Sequence, residues 1–299
     1  MHSTTIPKIA SRPWRAVLSM LVAVGLFSVM DAGLKLLSPH YPPLQVAAMR
    51  GLASLPWVMT WALLTVGPRA LLRVRWHLHL LRGVLGISMM AAFVFALRSL
   101  PLSTAYSIFF VAPLLITALS VPFLHERVGP RRWIAIAVGL LGVLVVLRPT
   151  GEGVLTLGGL AILLAAFGYA VSAITVRVLS RTDSTQAMVV WLMAMMGIGS
   201  AVLAAPHWQS IRGADWLVIA GIGIVGALGQ VAITEAFRRG EASLIAPLEY
   251  TALVWSVLLD FALWGVLPDR VTWYGAAVIV ASGLYLLRRE RVHAEAEHP

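Results

Sequence analysis

Apolar runs about as long as a bilayer is thick recur along this chain and leave little room for anything else. A helix needs about 20 mostly apolar residues to cross the hydrocarbon core. Runs that qualify cover 14–37, 44–66, 77–98, 102–124, 132–148, 155–178, 185–205, 214–237, 242–265 and 271–288. The links carry Pro, Gly or charge: SPHYPP at 38–43, RSLP at 98–101, HERVGPRR at 125–132, RPTGEG at 148–153, RRGE at 238–241 and VLPDR at 266–270. None is long enough for a soluble domain. Of the 299 residues 59% are hydrophobic and 12% charged, with a mean hydropathy of +0.86. Soluble chains are about 45–50% apolar and about 25% charged, so this one has too little polar surface to cover itself in water. The expected fold class is an all-α polytopic membrane protein of ten transmembrane helices.

The net charge of +10 does not point to nucleic acid, because the basic residues form no single patch. They fall in short clusters between the runs. Lys and Arg near helix ends stay on the cytoplasmic side. Alternate links assign 17 to one side: Lys8, Arg12, Arg15, Arg69, Arg73, Arg75, Arg82, Arg127, Arg131, Arg132, Arg177, Arg181, Arg238, Arg239, Arg288, Arg289 and Arg291. The other side receives Arg98, Arg148, Arg212 and Arg270, and the remaining two, Lys35 and Arg50, lie within runs. That bias predicts ten crossings of a bacterial-type inner membrane with both termini cytoplasmic. The N-terminal run continues into Asp31 and Lys35 with no small-residue cleavage site, which predicts a retained first helix rather than a cleaved leader.

The chain also repeats itself. A gap-free shift of 140 residues brings Ala96 onto Ala236, Arg98 onto Arg238, Ser103 onto Ser243, Ala112 onto Ala252, Trp133 onto Trp273, Val138 onto Val278, Leu144 onto Leu284 and Arg148 onto Arg288. Arg98 and Arg238 then lie on opposite sides of the membrane. Five helices per half produce that, because an odd number of crossings inverts the second copy. The expected halves are 1–150 and 151–299. Inverted repeats mark transporters that alternate access around a midplane site.

Two stretches carry a family resemblance. The first is LRGVLGISMMAAFVFALRSLPLSTAYSIFFVAPLLITALSVPFLHERVGPRRWIAIAVGLLGVLVVLRP, and the second is APLEYTALVWSVLLDFALWGVLPDRVTWYGAAVIVASGLYLLRRE. Both resemble the EamA-type repeat of the drug/metabolite transporter superfamily. The likeness rests on Pro113 within the fourth run, Glu126 at its end, and glycine-spaced fifth and tenth runs. The second copy has Val266 where the first has Glu126, so Glu126 is read as structural. The resemblance implies a ten-helix secondary transporter of small polar metabolites. In such folds helices one to four and six to nine line a central cavity, with five and ten outside it. Members export amino acids or drugs, or take up nucleotide-like metabolites.

Charges inside the runs are the candidate site residues, because a charge at the bilayer centre costs about 2.5–3.5 kcal/mol even on the mildest scale. Asp31 and Lys35 stand four apart on one helix face, where opposite charges pair. They read either as a self-neutralised pair or as a cavity wall meeting a zwitterion. Arg50 reads as a partner for Asp31 or as a bidentate anchor for an anionic group. Glu249, Ser256 and Asp260 follow helical steps in the ninth run and point to a polar track with a proton-coupling carboxylate, or to hydrogen bonds that only hold the helix. Pro113 and Pro247 each free a backbone carbonyl and bend their helices.

Tyr106, Phe110, Pro113 and Thr117 share one face, and Tyr250 and Trp255 flank the acidic one. These aromatics could stack on an organic substrate, although such stripes are more often core or lipid contacts. Gly223, Gly226, Gln230 and Thr234 form a stripe of small and polar residues, from which Gln230 reaches substrate. Trp57, Trp61, Trp76, Trp133 and Trp273 read as interfacial anchors, and His77 and His79 as interfacial residues. There is no cysteine, HExxH, phosphate loop or nucleophile elbow, so neither metal nor cofactor is expected.

The expected function is secondary export of amino acids and related small metabolites by alternating access, with a small-molecule substrate and the lipid bilayer as partners. Uptake of an adenosyl or nucleotide-like metabolite is the alternative, favoured by Arg50 in the cavity. A drug exporter, a channel and a membrane enzyme rank behind these.

Overall fold

The computed structural model describes residues 13–126, 156–240, 242–278 and 280–281, with isolated residues from 129 to 145. The described part contains helices and no strand. In chain order they are α1 (Pro13–Leu37), α2 (Pro43–Thr65), the short α3 (Pro68–Leu72), α4 (Trp76–Leu97), α5 (Leu102–Phe109), α6 (Val111–Leu124), α7 (Leu157–Leu179), α8 (Thr185–Ala204), α9 (Trp216–Arg239), the single turn α10 (Ala242–Ile245) and α11 (Ala252–Trp264). Residues 270–278 and 280–281 are helical as well. The expected run at 132–148 lies largely outside the described residues, as do 282–288 of the last run and the outlying Lys8, Arg12, Arg127, Arg131, Arg132, Arg148, Arg288, Arg289 and Arg291. Among the described residues six helical stretches are long and apolar enough to cross a membrane: Trp14–Leu37, Trp76–Leu97, Leu102–Leu124, Leu157–Leu179, Thr185–His207 and Gly213–Arg239.

Local chemistry sets the helix ends. Proline stands at the start of α2 and α3, where its missing N–H and fixed φ suit the first turn. The Thr156 hydroxyl accepts from the Gly159 N–H at 3.1 Å, and that of Ser184 from the Ala187 N–H at 3.2 Å, capping α7 and α8. His125 (φ 57°) and Gly265 (φ 65°) end α6 and α11 in the left-handed region.

Both proline bends expected from the sequence appear as breaks. Pro113 has no N–H for the Phe109 carbonyl, and the helix is interrupted at Phe110 between α5 and α6. The segment from Ala246 to Thr251, with Pro247 in its first turn, winds as a 3₁₀-helix between α10 and α11.

The elements before and after residue 150 interleave. α1 packs chiefly on α9, α2 on α8, and α4 on α7, while α5 meets α11. Glycines allow the closest of these crossings. A Cβ on Gly51 would lie 2.4 Å from the Gly197 Cα, and one on Gly223 would lie 2.6 Å from the Ala53 carbonyl oxygen. Small residues let helix backbones approach in this way. Of the tryptophans read as anchors, Trp57, Trp76, Trp133 and Trp273 are exposed and Trp61 is half-buried.

Gly51→Ala is expected to force α2 and α8 apart and cost about 2 kcal/mol, as overpacking does. A lower melting temperature in detergent checks it. Gly221→Ala, where an added Cβ meets nothing within 4 Å, should leave the protein at least as stable.

Candidate functional site

The breaks, the interleaved helices and the buried charges meet at one cavity. Its wall takes Val24, Phe27, Met30 and Asp31 from α1, Arg50 from α2, and Arg82, Met89, Met90 and Phe93 from α4. Tyr106, Phe109 and Phe110 come from the first break, and Glu249 and Ala252 from the second. α7 adds Ala165, Tyr169, Ser172, Ala173 and Val176, α8 adds Leu192, and α9 adds Gln230, Ile233, Thr234 and Phe237.

Aromatic rings form a continuous band across this wall. Phe109 meets Tyr169 with centroids 5.4 Å apart and Phe93 at 6.2 Å. Tyr106 lies 6.4 Å from both Phe93 and Phe110. Such edge and tilted contacts are the favoured geometries for ring pairs. Phe110 stands at the first break and Glu249 within the 3₁₀ segment, and both line the cavity.

Two carboxylates line the cavity, and each is held by one tyrosine. Tyr106 Oη donates to Asp31 Oδ2 at 2.5 Å, and Tyr169 Oη donates to Glu249 Oε1 at 2.9 Å. The two pairs exchange donor and acceptor between the ends of the chain. Asp31 comes from the first helix and its tyrosine from the fourth expected run, whereas Tyr169 comes from the sixth and its carboxylate from the ninth.

Arg50 is 4% exposed, and no carboxylate among the described residues lies within 4.0 Å of it. Its Nε donates to Met30 Sδ at 3.0 Å, Nη1 to Met196 Sδ at 3.2 Å and Nη2 to Gln230 Oε1 at 3.5 Å. Thioether sulfurs are weak acceptors, so the guanidinium is positioned but weakly satisfied. The expected Arg50–Asp31 ion pair does not form, and Asp31 accepts from the Tyr106 hydroxyl.

Lys35 corrects the sequence expectation further. It neither pairs with Asp31 nor lines the cavity. Its Nζ reaches Asp260 Oδ1 at 2.9 Å and lies 4.1 Å from the Trp264 ring centroid. Asp260 also accepts the backbone N–H groups of Leu102 at 3.1 Å and Ser103 at 2.7 Å. A carboxylate suits those positions in the first turn of α5. Asp260 is fully buried, and among the described residues Lys35 is the cation that answers it.

The polar track of Glu249, Ser256 and Asp260 is corrected as well. The 3₁₀ segment shifts the helical phase, so Glu249 faces the cavity while Asp260 serves the Lys35 pair and the Ser256 hydroxyl donates to the Leu253 carbonyl. Trp255 is 43% exposed and lies on the outside against Gly25, away from the cavity wall. Tyr250 is buried beside Phe110, with centroids 5.2 Å apart, behind that wall. Of the nine candidates, Asp31, Arg50, Tyr106, Phe110, Gln230 and Glu249 come together, and Lys35, Tyr250 and Trp255 do not.

Sequence reasoning missed three features. Arg82, counted among the basic residues at a helix end, is buried in the cavity wall. Tyr169 carried no signal beyond its place in an apolar run. His79 is buried rather than interfacial, and its Nε2 lies 2.9 Å from Asp183 Oδ2. Burial pushes the Asp183 carboxyl up, but hydrogen bonds from Thr182, His79 and the Arg75 N–H outweigh it and hold the carboxyl below its usual range. Among the described residues no cluster of His, Cys, Asp or Glu is arranged to hold a metal.

A multi-pass helical membrane protein with a largely apolar, aromatic cavity that holds a few buried charges and is walled by helices from both parts of the chain fits a carrier of small molecules. The chain belongs to the EamA-like transporter family of the drug/metabolite transporter superfamily, whose model matches it twice, at residues 14–148 and 156–288. A riboflavin transporter of Vibrio cholerae is 30% identical over 94% of this chain and 96% of its own. A pseudopaline exporter of Pseudomonas aeruginosa is 27% identical over 92% of this chain and 96% of its own. An S-adenosylmethionine uptake transporter of Rickettsia felis is 27% identical over 78% of this chain and 79% of its own. One solved crystal structure aligns over 92% of this chain and 98% of its own, with a TM-score of 0.70 and 24% identity, a likeness of fold.

Removing one member of the Lys35–Asp260 pair strands a buried charge, so Lys35→Met and Asp260→Ala should each cost about 3 kcal/mol. The double variant Lys35→Met with Asp260→Leu should recover most of the loss. Thermal unfolding of the purified variants checks both outcomes.

Proposed function

We propose that this protein is a secondary transporter that takes up a planar aromatic metabolite, flavin-like or adenosyl-like, across a bacterial inner membrane by alternating access. The observation that carries this reading is the band of aromatic rings with Arg50 in the same cavity wall and Lys35 outside it. Rings stack on a flat heterocycle. Arg50, held by two sulfurs and an amide, offers a fork of donors to the acceptor edge of such a ring, with Gln230 beside it. The relatives that carry riboflavin and S-adenosylmethionine support the same class.

The proposed architecture is ten spans in two inverted five-span repeats, one in 1–150 and one in 151–299, with both termini cytoplasmic. Its support is the gap-free repeat, the charge bias and the packing pairs. Exchanging spans one to five with six to ten maps the α1–α9 contact onto that of α7 with α4, and maps α2–α8 onto itself. Rocking of one repeat on the other then opens the cavity to each side in turn.

Export of amino acids is the second reading. Asp31 and Arg50 both line the cavity and offer a zwitterion both signs, and the pseudopaline exporter is a relative. Counterflow in liposomes separates the two readings. Saturable exchange of riboflavin or S-adenosylmethionine, reduced at least tenfold by Arg50→Ala, is expected. Exchange confined to amino acids would favour the second reading.

Asp31 and Glu249 are the groups we assign to proton coupling, because each is held by a tyrosine hydroxyl and a buried ionised carboxylate without a cation is costly. Glu249→Gln is expected to keep equilibrium exchange and lose accumulation driven by a pH gradient. Tracer uptake with and without the gradient measures both.

A further inference from the structure

We infer that Arg82 is a second anion-binding residue of the cavity, so that the transported metabolite carries an oxyanion, a carboxylate or a phosphate, in addition to its flat ring. This rests on the reading of the cavity as the transport site for an aromatic metabolite and adds the charged group that such a ligand bears.

Arg82 lies near the start of α4 and is 1% exposed. Its Nη1 donates to the Met188 carbonyl on α8 at 3.0 Å, and its Nε to Ser172 Oγ on α7 at 3.5 Å. No protein group among the described residues accepts from Nη2, and none of their carboxylates lies within 4.0 Å. Asp183, which follows α7, is already engaged by His79 Nε2 at 2.9 Å, the Arg75 N–H at 3.2 Å and the Thr182 hydroxyl at 2.6 Å, and the cavity carboxylates Asp31 and Glu249 are held by Tyr106 and Tyr169.

A carbonyl and a hydroxyl need only neutral donors. If tying α4 to α7 and α8 were the whole task of this side chain, a neutral amide would do it without burying a charge. The positive charge itself is unanswered by the protein. Its two contacts hold the guanidinium in the wall with a free donor edge, the preorganisation that suits a planar oxyanion.

The position gives the ligand a direction. Arg82 stands where the wall reaches Val176 and Phe237, close to the helix ends Leu179 and Arg239. Arg50 lies on the side of the Lys35–Asp260 pair, with Phe93, Tyr106, Phe109 and Tyr169 among the wall residues. A ring stacked in that band presents one edge to Arg50 and a substituent to Arg82.

The test uses the full-length protein in nanodiscs, with binding read from flavin fluorescence. The probes are riboflavin, which has no anionic group, riboflavin 5′-phosphate and a carboxymethyl flavin. Wild type is expected to bind the phosphate, the carboxylate or both at least tenfold tighter than riboflavin, and which one identifies the oxyanion. Arg82→Gln should remove most of that preference while changing riboflavin affinity less than twofold, and Arg82→Lys should restore part of it. Equal affinity of wild type for all three probes overturns the subsite and leaves the aromatic reading standing. A loss in Arg82→Gln that is equal for all three makes Arg82 a helix tie and likewise overturns it. Wild type that binds none of them overturns the flavin-like reading and the subsite together. Arg82→Lys and the wild-type ratio keep the test decisive should the glutamine variant fail to fold.

Discussion

A charge inside a bilayer must be answered by something other than water, and this molecule divides its charges by how it answers them. Lys35 and Asp260 answer each other, and two amides at the start of α5 complete the carboxylate. That cluster ties the first helix, the fourth expected run and the ninth at one point, so it fixes how the helices that wall the cavity meet. Arg50, Arg82, Asp31 and Glu249 are answered only by thioethers, a carbonyl, an amide and hydroxyls. The first group holds the protein together, and the second faces the cavity.

The two breaks follow from the same constraint. Lipid-exposed backbone must keep its hydrogen bonds within the helix, and irregular backbone is tolerated only where protein or a cavity surrounds it. The interruption at Phe110 and the 3₁₀ turn around Glu249 both lie on the cavity wall. They place Tyr106 beside Asp31 and Glu249 beside Tyr169, so each carboxylate is held across the cavity by a residue from another span. A substrate arriving between those elements contacts groups that can move relative to one another, which alternating access requires.

The helices were legible in the sequence because hydrophobic length is a local property. The described segments begin and end within a few residues of the apolar runs, and Pro113 and Pro247 announced their breaks. The partners of the charges were not legible. Lys35 had a plausible mate one turn away in Asp31, yet its actual partner is 225 residues distant. Arg82 looked like one more basic residue at a helix end, since nothing in sequence marks how far a guanidinium is drawn inward. Trp255 stood on the right helix but on the wrong face, because the 3₁₀ turn resets the phase that heptad-like counting assumes. Local pattern gave the elements, and long-range packing chose which charges meet.

The central claim is that the wall bearing these charges is the surface substrate touches. The chain has no cysteine, so single cysteines report cleanly. Cysteines at Ala173, in the wall, and at Trp255, on the outer surface, would be reacted with a water-soluble maleimide in proteoliposomes, with and without riboflavin. The account predicts that the cysteine at 173 reacts and is protected by the flavin, and that the one at 255 reacts slowly whether or not flavin is present. Reaction at 173 that the flavin leaves unchanged, while the same protein still exchanges that flavin, would contradict it.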